Sequence, residues 1–433
     1  MNRLTVILLL SISLSLMVAC GGQPTPAPAT PLNQAETRAI EIPTATPMPP
    51  TATPTISPAA AATAVSAMLM QHVPPTPVTN TENSGIEGIT VFTLTNPIDQ
   101  NMWWIAHTHG FLNYEIEQKH LVGLYKPVNG AWQEVNVLTV ESEPSMVAAG
   151  SVESIKLDEE SLWLMVDSFT GAHSGCFDVL RVGEAALSTM ISHCNSSPGA
   201  AEVKDIDQDG KAEIIFDQTD YYVFCYACGV KHINYETLHW NGTKFQTLTF
   251  TMMIDAKDTQ LRDMNNEAVK LAQAELWQDA ANIISQAVVV APQDPTVQLN
   301  ATLITRYADE YALRLQQNET GYPLLTQVFY GDYDAALALM RPHTPADIFN
   351  SQGPLIVGTP AEGWLENLQM YLNARTTAAI AVKPDLATAY FLRGWGNYLV
   401  DAQNPTIVTD LQKAAELQPT ETLFSESLSL MQN

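Results

Sequence analysis

A chain of 433 residues has room for two or three domains of ordinary size. Its hydrophobic fraction of 46% and aromatic fraction of 8% are enough to build buried cores, which excludes a wholly disordered polymer. With 20 Lys+Arg against 46 Asp+Glu, the chain repels nucleic acid and anionic headgroups, and its acid is spread along the sequence as a solubilising surface.

The chain opens on Asn2-Arg3, a short positive end. An apolar run from Leu4 to Leu16 follows, too short for a stable bilayer span. Small residues then lead to a cysteine in Leu16-Met17-Val18-Ala19-Cys20-Gly21-Gly22. This resembles the lipobox of bacterial lipoproteins, with Met17 where leucine is more usual. The resemblance implies a signal peptide over 1–19, lipidation of Cys20, and anchorage on the extracytoplasmic face of the cell membrane. After Cys20, residues up to 85 read as a disordered linker in which Pro, Thr and Ala dominate, as in Pro43-Thr44-Ala45-Thr46-Pro47. Prolines fix φ and remove donors, so such a segment extends and buries no core. Its apolar stretch Ala59 to Met70 is too short to span and predicts no more than a transient helix.

Residues 86–252 change to β character. Strands are expected at Ile89 to Thr93, Trp103 to Ala106, His120 to Tyr125, Trp132 to Val137, Leu162 to Val166, Glu213 to Phe216 and Lys244 to Phe250. Turns at Asn129-Gly130, Val182-Gly183-Glu184 and Asn241-Gly242 suggest three units of about fifty to sixty residues. An all-β domain follows from this, either an incomplete propeller-like arrangement or a sandwich.

Within this region Asp205-Ile206-Asp207-Gln208-Asp209-Gly210-Lys211-Ala212-Glu213 places carboxylates at alternate positions, with a glycine for the sharp turn. Alternate carboxylates on a curled loop converge on one hard cation. An EF-hand would put Glu at the twelfth place, where this chain has Phe216, and would continue as a helix. A strand follows instead, so the loop resembles the calcium loops of FG-GAP and VCBS-type β repeats. That resemblance covers this unit alone and implies a structural calcium held at Asp205, Asp207, Asp209, Lys211 and Glu213.

Four cysteines besides Cys20 suggest disulfides in an oxidising compartment. Cys176 and Cys194 bracket a hairpin-like segment, and Cys225 and Cys228 can close a small ring or act as a redox pair. Zinc is the rival, because His107, His109, His173, His193 and His232 lie near these loops, although the spacings fit no standard finger. The tryptophans Trp103, Trp104, Trp132 and Trp240 read as strand-face core. No phosphate loop, nucleophile elbow or dinucleotide fingerprint is present.

Residues 258–433 turn helical, with three- and four-residue apolar spacing in eight segments from Ala268 to Met431. Three of them carry an alanine five residues before a proline: Ala287 and Pro292, Ala379 and Pro384, Ala414 and Pro419. Together with Trp277, Ala280, Gly331, Tyr333, Ala336 and Gly394, this resembles the tetratricopeptide repeat family over most of Asn265 to Gln418. The stretch Pro342 to Pro360 breaks the repeat register. The resemblance implies a degenerate solenoid of helical hairpins that binds a protein partner. The expected function is therefore a non-enzymatic, membrane-anchored binding scaffold with a calcium-stabilised β domain. The alternatives are a solute- or glycan-binding lipoprotein, or an envelope hydrolase or redox enzyme using the His/Cys loops.

Overall fold

The computed structural model describes residues 57–432 apart from 76–84, 98–99, 114–115, 143, 172–173, 184, 197–198, 208, 256 and 318–320. Cys20, the signal segment and most of the linker lie outside the described residues. Among those described, no helix is long and apolar enough to cross a membrane.

The first element corrects an expectation. Pro58–Met70 is a formed helix, α1, with the Ser57 hydroxyl accepting the Ala60 N–H and proline in the first turn. Ala61, Val65 and Leu69, one helical face apart, are buried against Trp104, Ala106, Leu121 and Tyr125. Tertiary packing supplies what local propensity lacks.

Eight strands follow: β1 (Gly85–Thr95), β2 (Met102–Phe111), β3 (Leu121–Val128), β4 (Ala131–Thr139), β5 (Met146–Ile155), β6 (Leu162–Gly171), β7 (Ser174–Val182) and β8 (Leu187–Asn195). They form one antiparallel sheet in the order β4-β3-β2-β5-β6-β7-β8, with β1 alongside β2. β2 is shared: β3 pairs with Trp104 to His107 and β5 with Gly110 and Phe111. The sheet curls until Asn136 of β4 accepts the backbone N–H of Leu187 in β8 at 2.8 Å. Alternation sorts the side chains. Leu164, Val166, Ile105 and Leu124 fill the inside of the curl, while Trp163, Phe177 and Val179 face out. The Asn129-Gly130 turn between β3 and β4 takes positive φ at both residues, 52° and 80°.

A second antiparallel sheet, β9 (Ala201–Lys204), β10 (Glu213–Asp217), β11 (Tyr235–Trp240) and β12 (Phe245–Leu248), runs in the order β12-β11-β10-β9. Its Ile214, Phe216 and Trp240 pack on Trp163, Phe177 and Val179. The three expected units are therefore not three separate blades. The first two merge because β5 pairs with both β2 and β6, and the third is layered on them as a second sheet.

The helical part comprises α2 (Thr259–Gln273), α3 (Trp277–Val290), α4 (Pro295–Gln317), α5 (Pro323–Phe329), α6 (Tyr333–Met340), α7 (Pro345–Ile348), α8 (Leu365–Val382), α9 (Ala387–Val400), α10 (Thr406–Leu417) and α11 (Thr422–Gln432). α5 and α7 were not expected from the sequence. One ending recurs three times. The carbonyls of fully buried Ala287, Ala379 and Ala414 accept the N–H groups of Ala291, Lys383 and Gln418 at 2.9, 2.7 and 3.0 Å. Those three capping residues leave the helix with ψ of 70°, 79° and 72°. Each precedes a proline, whose ring forbids helical backbone to the residue before it. The next helix then starts three residues past the proline, at Pro295, Ala387 and Thr422. The Pro342 to Pro360 stretch is no loose loop: Ile348, Phe349 and Ile356 are buried, and Trp395 Nε1 donates to the Ile348 carbonyl at 2.9 Å.

The core crosses the expected boundary between 252 and 258. Val223, Phe224, Val230 and Ile233, on the segment between β10 and β11, belong to the helical core. Buried Asn265 and Asn300 both donate to the Thr251 carbonyl, at 3.0 and 2.7 Å, and fasten the connecting chain.

Candidate metal centre

The loop between β9 and β10 is shaped by its own aspartates. Asp207 Oδ1 accepts the Asp209 N–H at 3.1 Å, Asp209 Oδ1 accepts the Lys211 N–H at 2.8 Å, and Asp205 Oδ2 accepts the Gly210 N–H at 3.0 Å. Gly210 sits at φ 87°, which a side chain would resist. The Ala212 N–H bonds to the Lys156 carbonyl at 2.8 Å and ties the loop to the first sheet.

This curl brings carboxylate oxygens of Asp205, Asp207 and Asp209 within 4.8 Å of one another. Like charges this close repel one another, though solvent and the Lys211 ammonium beside Asp209 screen them. Asp205 Oδ1 is buried without a hydrogen-bond partner. The triad is therefore able to hold a metal ion, and oxygen-only donors of this kind favour a hard cation.

Glu213 opens β10 and is only 3% exposed. Its Oε2 accepts the Ile206 N–H at 2.8 Å and closes the base of the loop. Burial pushes its carboxyl up to about 7, and the charges of Asp207, Asp209 and Asp205 push the same way, against the Ile206 hydrogen bond. Lys211 departs from a ligand's role through its side chain: the ammonium pairs with Asp209 Oδ2 at 3.2 Å, which leaves only its backbone carbonyl for a cation. Gln208 lies outside the described residues.

Both cysteine pairs are bonded. Cys176 and Cys194 face each other in register across β7 and β8, with Cα atoms 4.0 Å apart. Cys225 and Cys228 are bridged around a single 3₁₀ turn, Tyr226–Cys228. Their thiols are thus committed to sulfur–sulfur bonds and offer zinc no thiolate. His107, His109 and His120 are near neighbours. His107 and His120 are buried beside Thr108, and burial lowers each to about 4, with the neighbouring imidazoles acting the same way. His193 lies 4.5 Å from the Phe216 ring, and His232 bonds Glu275 at 3.1 Å. His173 lies outside the described residues. Trp103, Trp104 and Trp240 are buried, and Trp132 meets Trp104 edge-on at 5.5 Å.

One buried acid escaped the sequence reading. Asp178 is fully buried on β7, takes the Ser142 hydroxyl, and is raised by burial. The available signal was an aspartate inside the apolar run Cys176-Phe177-Asp178-Val179-Leu180.

No family model matches this chain, and no characterised protein or solved structure matches it either.

Proposed function

We propose that this protein is a non-enzymatic, extracytoplasmic lipoprotein whose β part is clamped by one calcium ion and whose helical array is a scaffold for a protein partner. The observation that carries the reading is the convergence of Asp205, Asp207 and Asp209 above the buried carboxyl of Glu213. Extracellular calcium modules bind at about 10⁻⁴ to 10⁻³ M, and a loop of this charge suits that range. Two disulfides agree with an oxidising compartment. The thrice-repeated helix ending supports a tetratricopeptide-like hairpin array, an architecture that offers extended binding surfaces.

Two experiments test the reading. Cys20→Ala should release the protein from the membrane fraction, and normal retention would refute the lipid anchor. Photo-crosslinkers at Val289 and Met370, which are 82% and 55% exposed on the helices, should capture one discrete envelope protein. A smear of unrelated adducts, or none, would refute the scaffold role.

A further inference from the structure

Ile206 stands between Asp205 and Asp207 in the aspartate loop and is only 4% exposed. Its N–H goes to the Glu213 carboxylate at 2.8 Å, and its carbonyl accepts the Thr302 hydroxyl of α4 at 3.3 Å. One residue therefore joins the base of the loop to the helical part. One turn along α4, on the same face as Thr302, Arg306 pairs with Glu202 of β9 at 2.8 Å. The opposite face carries Ile304 and Tyr311 into the helical core. The first half of α4 thus lies between the loop and that core.

The seam between the loop and α4 is thin. A cavity of about 330 Å³ remains there, bordered by Lys204, Ile206, Ile215, Thr302 and Arg306. Arg306 Nε is buried without a hydrogen-bond partner. A close-packed seam would contain neither. Tyr307 fastens α4 independently, its hydroxyl accepting the Tyr235 N–H at 3.1 Å, so the loop side can part while the β11 side stays docked.

What decides this is the posture of Ile206. Without a cation the flanking carboxylates of Asp205 and Asp207 repel each other, and Asp205 Oδ1 is buried and unpaired. A hard cation draws both carboxylates onto itself and fixes the peptide between them.

We propose that calcium works this loop as a latch on α4: the ion fixes Ile206, Ile206 holds Thr302, and the first half of α4 docks on the second sheet as firmly as calcium is bound. The latch rests on the calcium reading above and adds what the ion controls in the helical part. An opening that frees Ile206 also breaks the ion's cradle. Amide protection there therefore rises with occupancy, by about a hundredfold when calcium stands a hundredfold above its Kd.

The test is hydrogen exchange of the full-length protein in calcium and in chelator, with a calorimetric titration of calcium chloride into the same samples. In the wild type, amides from Gln298 to Arg306 should exchange at least about tenfold more slowly in calcium. Amides of α11, which packs on α7 and α10, should keep their rates. The double variant Thr302→Val, Glu202→Gln removes both polar contacts of the seam and leaves the loop's carboxylates in place. It should bind calcium as the wild type does and lose the slowing in α4. No heat from calcium would overturn the calcium reading and the latch together. Calcium heat with unchanged exchange in α4, equal slowing in α11, or full slowing in the double variant would each overturn the latch alone and leave the ion site standing.

Discussion

The curled β part and the helical part solve the same problem, burying a core, by different means. In the β part the fixing devices are long-range: strand register, a disulfide across β7 and β8, and a loop of acids closed by a buried Glu213. In the helical part they are local and repeated, an alanine carbonyl capped and then cut off by a proline three times over. The difference teaches where each part is vulnerable. The β part depends on charge and protonation state, and the helical part on volume and backbone.

The largest effect should come from acid. Burial lowers His107, His120 and His232 to about 4 from an ordinary value of 6.5. The unfolded chain binds protons that the native state refuses, so the stability held above pH 6.5 is lost as pH falls toward 4. At pH 5 each histidine should cost about 2 kcal/mol relative to neutral pH. Urea midpoints at pH 7 and pH 5 read this loss net of the raised Glu213 carboxyl, which works the other way as pH falls, so His232→Gln beside the wild type isolates one histidine and should recover about 2 kcal/mol of stability at pH 5. The same pH 5 to pH 7 difference in wild type and His232→Gln would show that this histidine meets water in the native state.

Next in size, Phe224→Ala should destabilise by about 3–5 kcal/mol, because this ring is 2% exposed. The residue lies in the β part of the sequence but packs in the helical core. The helical circular dichroism signal should therefore melt earlier in this variant. If only β signal shifts, the two parts are separate bodies and the comparison above is wrong.

The smallest effect should be Pro384→Ala, about 0.5–1 kcal/mol, since the ring acts chiefly by restricting the backbone around the α8 ending. A measured loss of several kcal/mol would mean the proline holds a contact beyond its backbone role.

What was legible in the sequence follows the same division. Helices α3, α4, α8, α9 and α10 read almost residue for residue, because their apolar spacing is local and the ends of α3, α8 and α10 are marked by Pro292, Pro384 and Pro419. α5 and α7 did not, being too short to show a period. The hairpin pairing Cys176 with Cys194 was readable from the symmetry of its turn, and the aspartate loop from its spacing. The sheet order was not, because the sharing of β2 between β3 and β5 is a long-range pairing that no local pattern encodes. Nor was the docking of α1, whose alanine-rich face gains a partner only when Trp104 and Tyr125 assemble beneath it.

The proposed calcium clamp is tested most directly by melting the protein in millimolar calcium and in chelator, with Asp207→Ala beside the wild type. Binding to the native state alone should stabilise by about 2.7 kcal/mol when calcium stands a hundredfold above its Kd. The wild type should melt several degrees higher in calcium and respond less to magnesium, which demands tighter octahedral geometry. Asp207→Ala should melt at one temperature in all three conditions. Identical wild-type melting in calcium and in chelator would contradict the account, and the Asp205 to Glu213 loop would then be an acidic turn and nothing more.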